Sequence, residues 1–261
     1  MSGKTEARAQ RIVVELLRRG DISVNDLMKH LKISAPSIRR DLARLEQRGL
    51  IRRTHGGATL VEPLLYEPFR YDSSFQQREQ NAPEEKRRIA LAAAELICEH
   101  ETVGITAGTT TTQVARSVRH RKNISIVTNA INIGMELCNL TGLKTYMTGG
   151  FVQWAWSFSL IGPPAIQSLQ NTILDKLFLG VCGISAERGA TAIEPDEGLV
   201  FRTMVQQAKQ VIVVADSTKL GVITPALICP PSAIHLLITD TKADPKILDA
   251  MRATGMKVMT V

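Results

Sequence analysis

The sequence predicts two domains: a small N-terminal one, all-α apart from a closing β-hairpin, and a larger α/β one with a mainly parallel sheet. Three observations carry this expectation. Excess positive charge is confined to the first sixty residues. Three short amphipathic helical patterns and a glycine-marked hairpin fill that same stretch. From Glu84 onward, short apolar runs alternate with helical segments, the pattern of parallel strands joined by crossover helices.

Composition sets the outer bounds. The 261 residues are 44% apolar, 22% charged and 4% aromatic, with a mean hydropathy of zero, which excludes disordered, collagen-like and disulfide-scaffold classes. No apolar run approaches the roughly 18 residues that span a bilayer. Residues 1–20 carry Lys4, Glu6, Arg8, Arg11 and Glu15 where a secretion signal needs an apolar stretch, so a cytoplasmic chain with no membrane partner is expected. Cys98, Cys138, Cys182 and Cys229 lie at least 40 residues apart and form no metal-ligand or CxxC spacing; they read as small buried hydrophobes, and no metal or other cofactor is expected.

Residues 1–60 hold thirteen Lys/Arg against six Asp/Glu, an excess of seven, whereas the remaining 201 residues hold nineteen of each. The whole net charge of +7 therefore sits in one small module, the footprint of a polyanion partner.

The elements of that module follow in order. Ile12, Val13, Leu16 and Leu17 recur at helical spacing and stop at Gly20. Ser23, three residues before Asp26, opens a second helix with Val24, Leu27 and Leu31 on one face. Ser34 caps a third, with Pro36 in its first turn, that runs to Gly49. At 100° per residue Ile38, Leu42 and Leu45 share one direction, while Arg40, Arg44 and Gln47 point oppositely, flanked by Ser37 and Arg39. Such a face suits a major groove, where Arg donates two hydrogen bonds to guanine. Leu50–Arg53 and Ala58–Leu60 then flank His55-Gly56-Gly57, predicting a hairpin whose turn requires positive φ; a basic hairpin after a helix-turn-helix reads as a wing along phosphates.

Ser34-Ala35-Pro36-Ser37-Ile38-Arg39-Arg40-Asp41-Leu42, followed by Leu50-Ile51-Arg52-Arg53-Thr54-His55-Gly56-Gly57-Ala58, resembles the winged helix-turn-helix of the DeoR-type bacterial transcriptional repressors over about fifty residues without a gap. Ser37 stands where that family usually has Thr. The resemblance implies double-stranded operator DNA as partner, with Ser34, Ser37, Arg39, Arg40, Arg44, Arg52, Arg53, His55 and Gly56 in contact with it.

Residues 61–83, with Pro63, Pro68 and Pro83 among Tyr66, Phe69, Tyr71 and Phe75, read as a linker between a DNA-binding domain of residues 1–60 and an effector and oligomerisation domain of residues 84–261. Beyond it, strands are predicted at 103–106, 125–128, 144–148, 176–181, 210–215, 236–239 and 257–260, with helices near 110–118, 131–138, 164–169, 198–208 and 245–254. Ligands of such sheets bind beyond the strand C-terminal ends. There stand Gly108-Thr109-Thr110-Thr111 opening a helix, Thr128-Asn129, Gly149-Gly150 and Asp216-Ser217-Thr218-Lys219, groups that together suit an anion. Neither a Walker A loop nor the Gly-x-Gly-x-x-Gly of dinucleotide folds is present. Trp154 and Trp156 are open to two readings, as cover for a pocket or as packing and interface residues.

Residues 75–255 resemble the DeoR-type effector domain, itself similar to ribose-5-phosphate isomerase-like folds. That resemblance implies a phosphorylated sugar held by Gly108 to Thr111 and by Lys219, with Asn129, Gly149 and Gly150 also in the effector site. Thr106 replaces an Asp common in the family, and the fourth strand leads into Cys182-Gly183-Ile184-Ser185, where the isomerases carry catalytic carboxylates. Glu187 and Glu197 fall outside the matching run. No catalytic residue is therefore assigned, because isomerisation needs a general base. The expected function is repression of a carbohydrate-metabolism operon by a homo-oligomer whose operator binding a sugar phosphate modulates. An isomerase-like enzyme with a DNA-binding appendage is the alternative, and an architectural module with an empty pocket a third.

Overall fold

The computed structural model describes residues 11, 12, 15, 16, 21–47, 51–54, 56–60, 73–153 and 157–261. The chain divides into two units, residues 1–71 and 72–261. Val13, Leu17, Gly20, Gly49, Leu50, His55, Tyr66, Phe69, Tyr71, Trp154 and Trp156, used in the sequence reading, lie outside the described residues.

In the first unit, β1 (Asp21–Ser23) leads directly into α1 (Val24–Leu31), then α2 (Ala35–Gln47), β2 (Ile51–Arg53) and β3 (Gly57–Leu60). Ser23 caps α1: its Oγ accepts from the Asp26 N–H at 3.0 Å and donates to Asp26 Oδ2 at 2.7 Å, a local variant of the reciprocal capping box. Ser34 precedes α2, and its carbonyl accepts from the Ile38 N–H at 3.1 Å. Ile38, Leu42 and Leu45 meet Ile12, Leu16, Leu27 and Ile51 in one buried cluster, since helices this short persist only by burying their stripes together.

Two expectations for the wing are corrected. It has three strands in the order β1-β3-β2, not two; β1 is too short for an alternation signal and pairs Ser23 with Gly57. Neither Gly56 nor Gly57 has positive φ. Gly57 is required for close approach instead, because a Cβ there would lie 2.1 Å from the Ile22 carbonyl oxygen.

The second unit opens with α3 (Ser73–Gln80) and α4 (Pro83–Glu95). The linker expected over residues 61–83 is thus helical in its second half. That helix has almost no apolar stripe and is fastened by one aromatic, Phe75, whose ring centre lies 5.1 Å from that of Phe158.

Seven strands, β4 (Thr102–Ile105), β5 (Ile124–Thr128), β6 (Leu143–Met147), β9 (Leu174–Leu179), β12 (Ala208–Val214), β14 (Leu236–Thr239) and β15 (Lys257–Thr260), form a parallel sheet in the order β15-β14-β12-β9-β4-β5-β6. Helices α5 (Thr109–Ser117), α6 (Ile131–Leu137), α7 (Pro163–Leu169), α8 (Pro195–Gln206) and α9 (Pro245–Ala253) accompany it. All seven strands correspond to runs predicted from the sequence. The antiparallel additions do not: β7 (Phe151–Gln153) pairs with β8 (Ser159–Ile161), and β10 (Gly183–Ser185), β11 (Gly189–Ala192) and β13 (Ala226–Cys229) form a small sheet of their own. At three or four residues each they carry no periodicity to read.

The burial expected of the cysteines holds for Cys229 alone; Cys182 is half-buried, and Cys98 and Cys138 are exposed. The exposed pair follow the C-terminal ends of α4 and α6, where the chain turns at the surface before the next strand.

The strand order fixes the site. From β4 the chain proceeds outward through β5 and β6, then returns to the other side of β4 as β9 and proceeds outward again through β12, β14 and β15. Loops leaving β4 and β9 therefore diverge, and a crevice opens beyond their C-terminal ends.

Candidate functional site

On the first unit, Ser34, Arg39, Arg40, Arg44, Arg52, Arg53 and Gly56 are exposed and Ser37 is half-buried. Arg39 from α2 and Arg53 and Gly56 from the wing border one groove of about 220 Å³, together with Asn25 and Thr54. Two of the arginines are braced from behind. Arg44 stands 3.9 Å from the buried Asp41, one helical turn away. Arg53 donates its backbone N–H to Glu46 at 3.0 Å, with its guanidinium 3.8 Å from the same carboxylate. With both guanidinium groups solvated, such pairs orient side chains more than they stabilise the fold. The result is a set of exposed arginines, Arg39, Arg40 and Arg44 on α2 and Arg52 and Arg53 on β2.

On the second unit, an enclosed cavity of about 200 Å³ sits at the crevice between the ends of β4 and β9. Gly108, Thr109, Thr110 and Lys219, all expected to bind effector, line it. Gly108 adopts φ +150° and caps α5, so the first helical N–H groups, which have no partner within the helix, face this end of the cavity. The hydroxyls of Thr109 and Thr110 find no hydrogen-bond partner among the described residues.

The other expected effector residues, Thr111, Asn129, Gly149 and Gly150, do not line the cavity. Thr111 Oγ1 donates to the Gly108 carbonyl at 3.0 Å, and Thr112 Oγ1 does so at 2.7 Å. Asn129 Oδ1 accepts from the Ala107 N–H at 3.0 Å, tying the end of β5 to the loop after β4. Gly149 faces Pro164, and Gly150, at φ +128°, packs against the Ile161 backbone. Thr106 receives the Gly180 N–H on its Oγ1 at 2.9 Å, clamping the two diverging loops together.

Several lining residues escaped the sequence reading: Arg78, Asn81, Lys86, Ser157, Cys182 and Glu197. Lys86 is only 3% exposed; its amine donates to the carbonyls of Arg78 and Asn81 and stands 3.9 Å from Asp216 Oδ2. Burial pushes its pKa down, while Asp216 opposes that shift. A signal did exist, because Lys86 lies three and four residues before Ile89 and Ala90, on the apolar stripe of α4 where a charged residue needs a reason. Glu197, 2% exposed in the first turn of α8, receives hydrogen bonds on Oε1 from Ser157 Oγ and, at 3.0 Å, from Ser159 Oγ. Burial raises its pKa, with the two serines and then Arg78 opposing. The expectation of a cavity without an acid is corrected: α8 folds back over the crevice and delivers a carboxylate from outside the motif. Cys182 lines the same cavity, its thiol pushed up by burial.

Lys219 is positioned by its own turn. Asp216 Oδ1 accepts from the Thr218 N–H at 3.1 Å, and Asp240 Oδ2, beyond the end of β14, accepts from the Ser217 N–H at 2.6 Å. Among the described residues no group of three His, Cys, Asp or Glu is placed to hold a metal ion, and no helix is long and apolar enough to cross a membrane.

A basic helix-turn-helix joined to a sheet domain with its own charged cavity defines a transcription regulator. The DeoR-like helix-turn-helix domain matches residues 8–63, and the DeoR C terminal sensor domain matches residues 81–241. The chain belongs to the DeoR family of transcriptional repressors. It is 37% identical to the HTH-type transcriptional regulator GlpR of Haloferax volcanii over 97% of each chain. It is 33% identical to the HTH-type transcriptional repressor GlcR of Bacillus subtilis, covering 97% of this chain and 95% of that one. Among solved structures, the ribose 5-phosphate isomerase of Plasmodium falciparum aligns at 13% identity with a TM-score of 0.38 over 51% of each chain.

Proposed function

We propose that this chain represses a carbohydrate-metabolism operon, binding double-stranded operator DNA through residues 1–60 and a phosphorylated sugar through residues 84–261. The observation that carries the effector half is the cavity. Lys86 and Lys219 bring positive charge to the same small space as the start of α5 and the free hydroxyls of Thr109 and Thr110. The relatives, a transcriptional regulator and a transcriptional repressor, support regulation over catalysis.

Lys86 also suggests a route from cavity to DNA. Its amine binds the carbonyls at the end of α3, the element that follows the first unit in sequence. An anion in the cavity competes for that amine and loosens its hold on the turn between α3 and α4. Since one helix-turn-helix buries a small interface, the repressor works as a homo-oligomer on related half-sites, in the cytoplasm.

The test is effector linkage. Lys219→Ala should abolish the influence of a sugar phosphate on operator affinity while leaving effector-free affinity within about two-fold, because an effector acts only through its unequal affinity for the two states. Operator titrations with and without the sugar phosphates would read this. An unchanged response in Lys219→Ala, or a dephosphorylated sugar as potent as its phosphate, would overturn the anion site.

One observation favours a second reading. Glu197 supplies the cavity with a carboxylate of the kind that isomerisation needs as its base. Prolonged incubation with ribose 5-phosphate decides between them: recovery of unchanged phosphate supports the regulator, and measurable isomerisation the enzyme.

A further inference from the structure

The cavity is lined by groups of both charge signs. Lys86, Lys219 and the start of α5 suit an anion, yet Glu197 lines the same space, buried, in a sheltered position where an anion alone would be repelled. Its two oxygens are used unequally. Oε1 takes both serine hydroxyls, Ser157 and Ser159, whereas Oε2 finds no donor among the described residues. Glu197 lines the cavity, so this oxygen is left to accept an O–H or N–H that a ligand brings there.

We infer that Glu197 is the residue with which the cavity reads the hydroxyls of its ligand, Oε2 accepting from a ligand O–H while Ser157 and Ser159 hold Oε1. The inference rests on the sugar-phosphate reading above and names the residue by which the cavity would tell a sugar phosphate from inorganic phosphate. A ligand ammonium is disfavoured as the donor. It would share the cavity with Lys86, Lys219 and Arg78, three cations, and Arg78 already faces Glu197 electrostatically. A neutral hydroxyl meets no such repulsion.

The neighbourhood is built for that task. Ser157 and Ser159 flank Phe158, which holds φ +55° and is fully buried against Phe75. A non-glycine residue in that conformation is maintained only by its surroundings, and here it turns the serines on both sides toward one carboxylate oxygen. Glu197 itself starts α8, where the helix dipole favours its charge.

The experiment compares wild type and Glu197→Gln, as full-length proteins, by calorimetric titration with inorganic phosphate, methyl phosphate, ribose 5-phosphate, fructose 6-phosphate and glucosamine 6-phosphate. Wild type should bind one of the two hydroxyl-bearing neutral sugar phosphates at least about ten-fold tighter than methyl phosphate. Glu197→Gln should lose that preference by about ten-fold or more, the worth of a hydrogen bond to a charged group, with inorganic phosphate affinity changed less than about two-fold. Should the Gln variant fold poorly, Glu197→Asp, which withdraws the carboxylate by one methylene, should show the same selective loss. Three results overturn the inference: a sugar preference retained in the variant, equal loss for inorganic phosphate and sugar phosphate, or a wild-type preference for glucosamine 6-phosphate that Glu197→Gln removes. A wild type that binds none of the phosphates overturns the anion reading itself, which separates the two failures.

Discussion

The proposed DNA-binding face and the proposed effector cavity are built from opposite materials. The first displays exposed arginines on one short helix and an adjoining wing, all within about twenty residues of sequence. The second collects groups from α3, α4, α5, α8 and the ends of β4, β9 and β12, some of them more than a hundred residues apart, and keeps most of them buried. A surface that meets a polyanion in water gains from exposed charge and loses little by holding it there. A small-molecule site must desolvate its charges, so each needs a local partner: carbonyls and Asp216 for Lys86, serines for Glu197. Charge at the first site is set by composition; at the second it is set by neighbours.

If the two units are independent, damaging one should spare the other. Phe178, fully buried in the sheet of the second unit, is the largest lever. Phe178→Ala should cost that unit about 3–5 kcal/mol, seen as a lower thermal transition, while effector-free operator affinity of the full-length variant, titrated at low temperature, stays at the wild-type value. Parallel loss of both would break the comparison.

The next effect separates base reading from charge on the first unit. Arg40→Ala should cost about 1–3 kcal/mol of operator binding and relax base preference, whereas Arg52→Ala should weaken specific and random DNA alike and flatten the salt dependence. Titration against both DNAs at several salt concentrations checks it. Sequence-blind losses for both variants would remove Arg40 from base reading.

The smallest effect tests whether burial governs charge in the cavity. The native pKa of Glu197 is raised by burial, so the folded state binds its proton more tightly than the unfolded state. That contribution is fully present below the ordinary glutamate range and is lost as pH rises through the elevated value. Glutamine carries no such proton. The melting temperature of ligand-free Glu197→Gln should therefore gain on wild type as pH increases from about 4 to about 8. Arg78, Lys86 and Lys219 line the same cavity, and Glu194 acts on Glu197 from nearby; all four are present in both proteins, leaving the difference to Glu197. A gap that is flat or shrinks with pH would show a solvated carboxylate.

The sequence by itself determined the two-part division of charge, the helices of the first unit and all seven strands of the main sheet. Each rests on a local property: Ile38, Leu42 and Leu45 share a face because helical geometry makes them, and an apolar run such as Val211–Val214 has few ways to be buried other than as a strand. Gly108, Thr109, Thr110 and Lys219 were legible for the same reason, since a helix start or strand end is a local feature. Tertiary structure alone decided the rest. The three-residue β1 exists because Gly57 admits the Ile22 carbonyl, a contact across more than thirty residues. Asn129 and Thr106, polar residues at strand ends like those that line the cavity, turned inward to hold backbone. Lys86 and Glu197 entered the cavity because α4 and α8 pack where they do. Whether a polar side chain faces a ligand or a neighbouring loop depends on which chain segments meet it in space, and no periodicity within one segment records that.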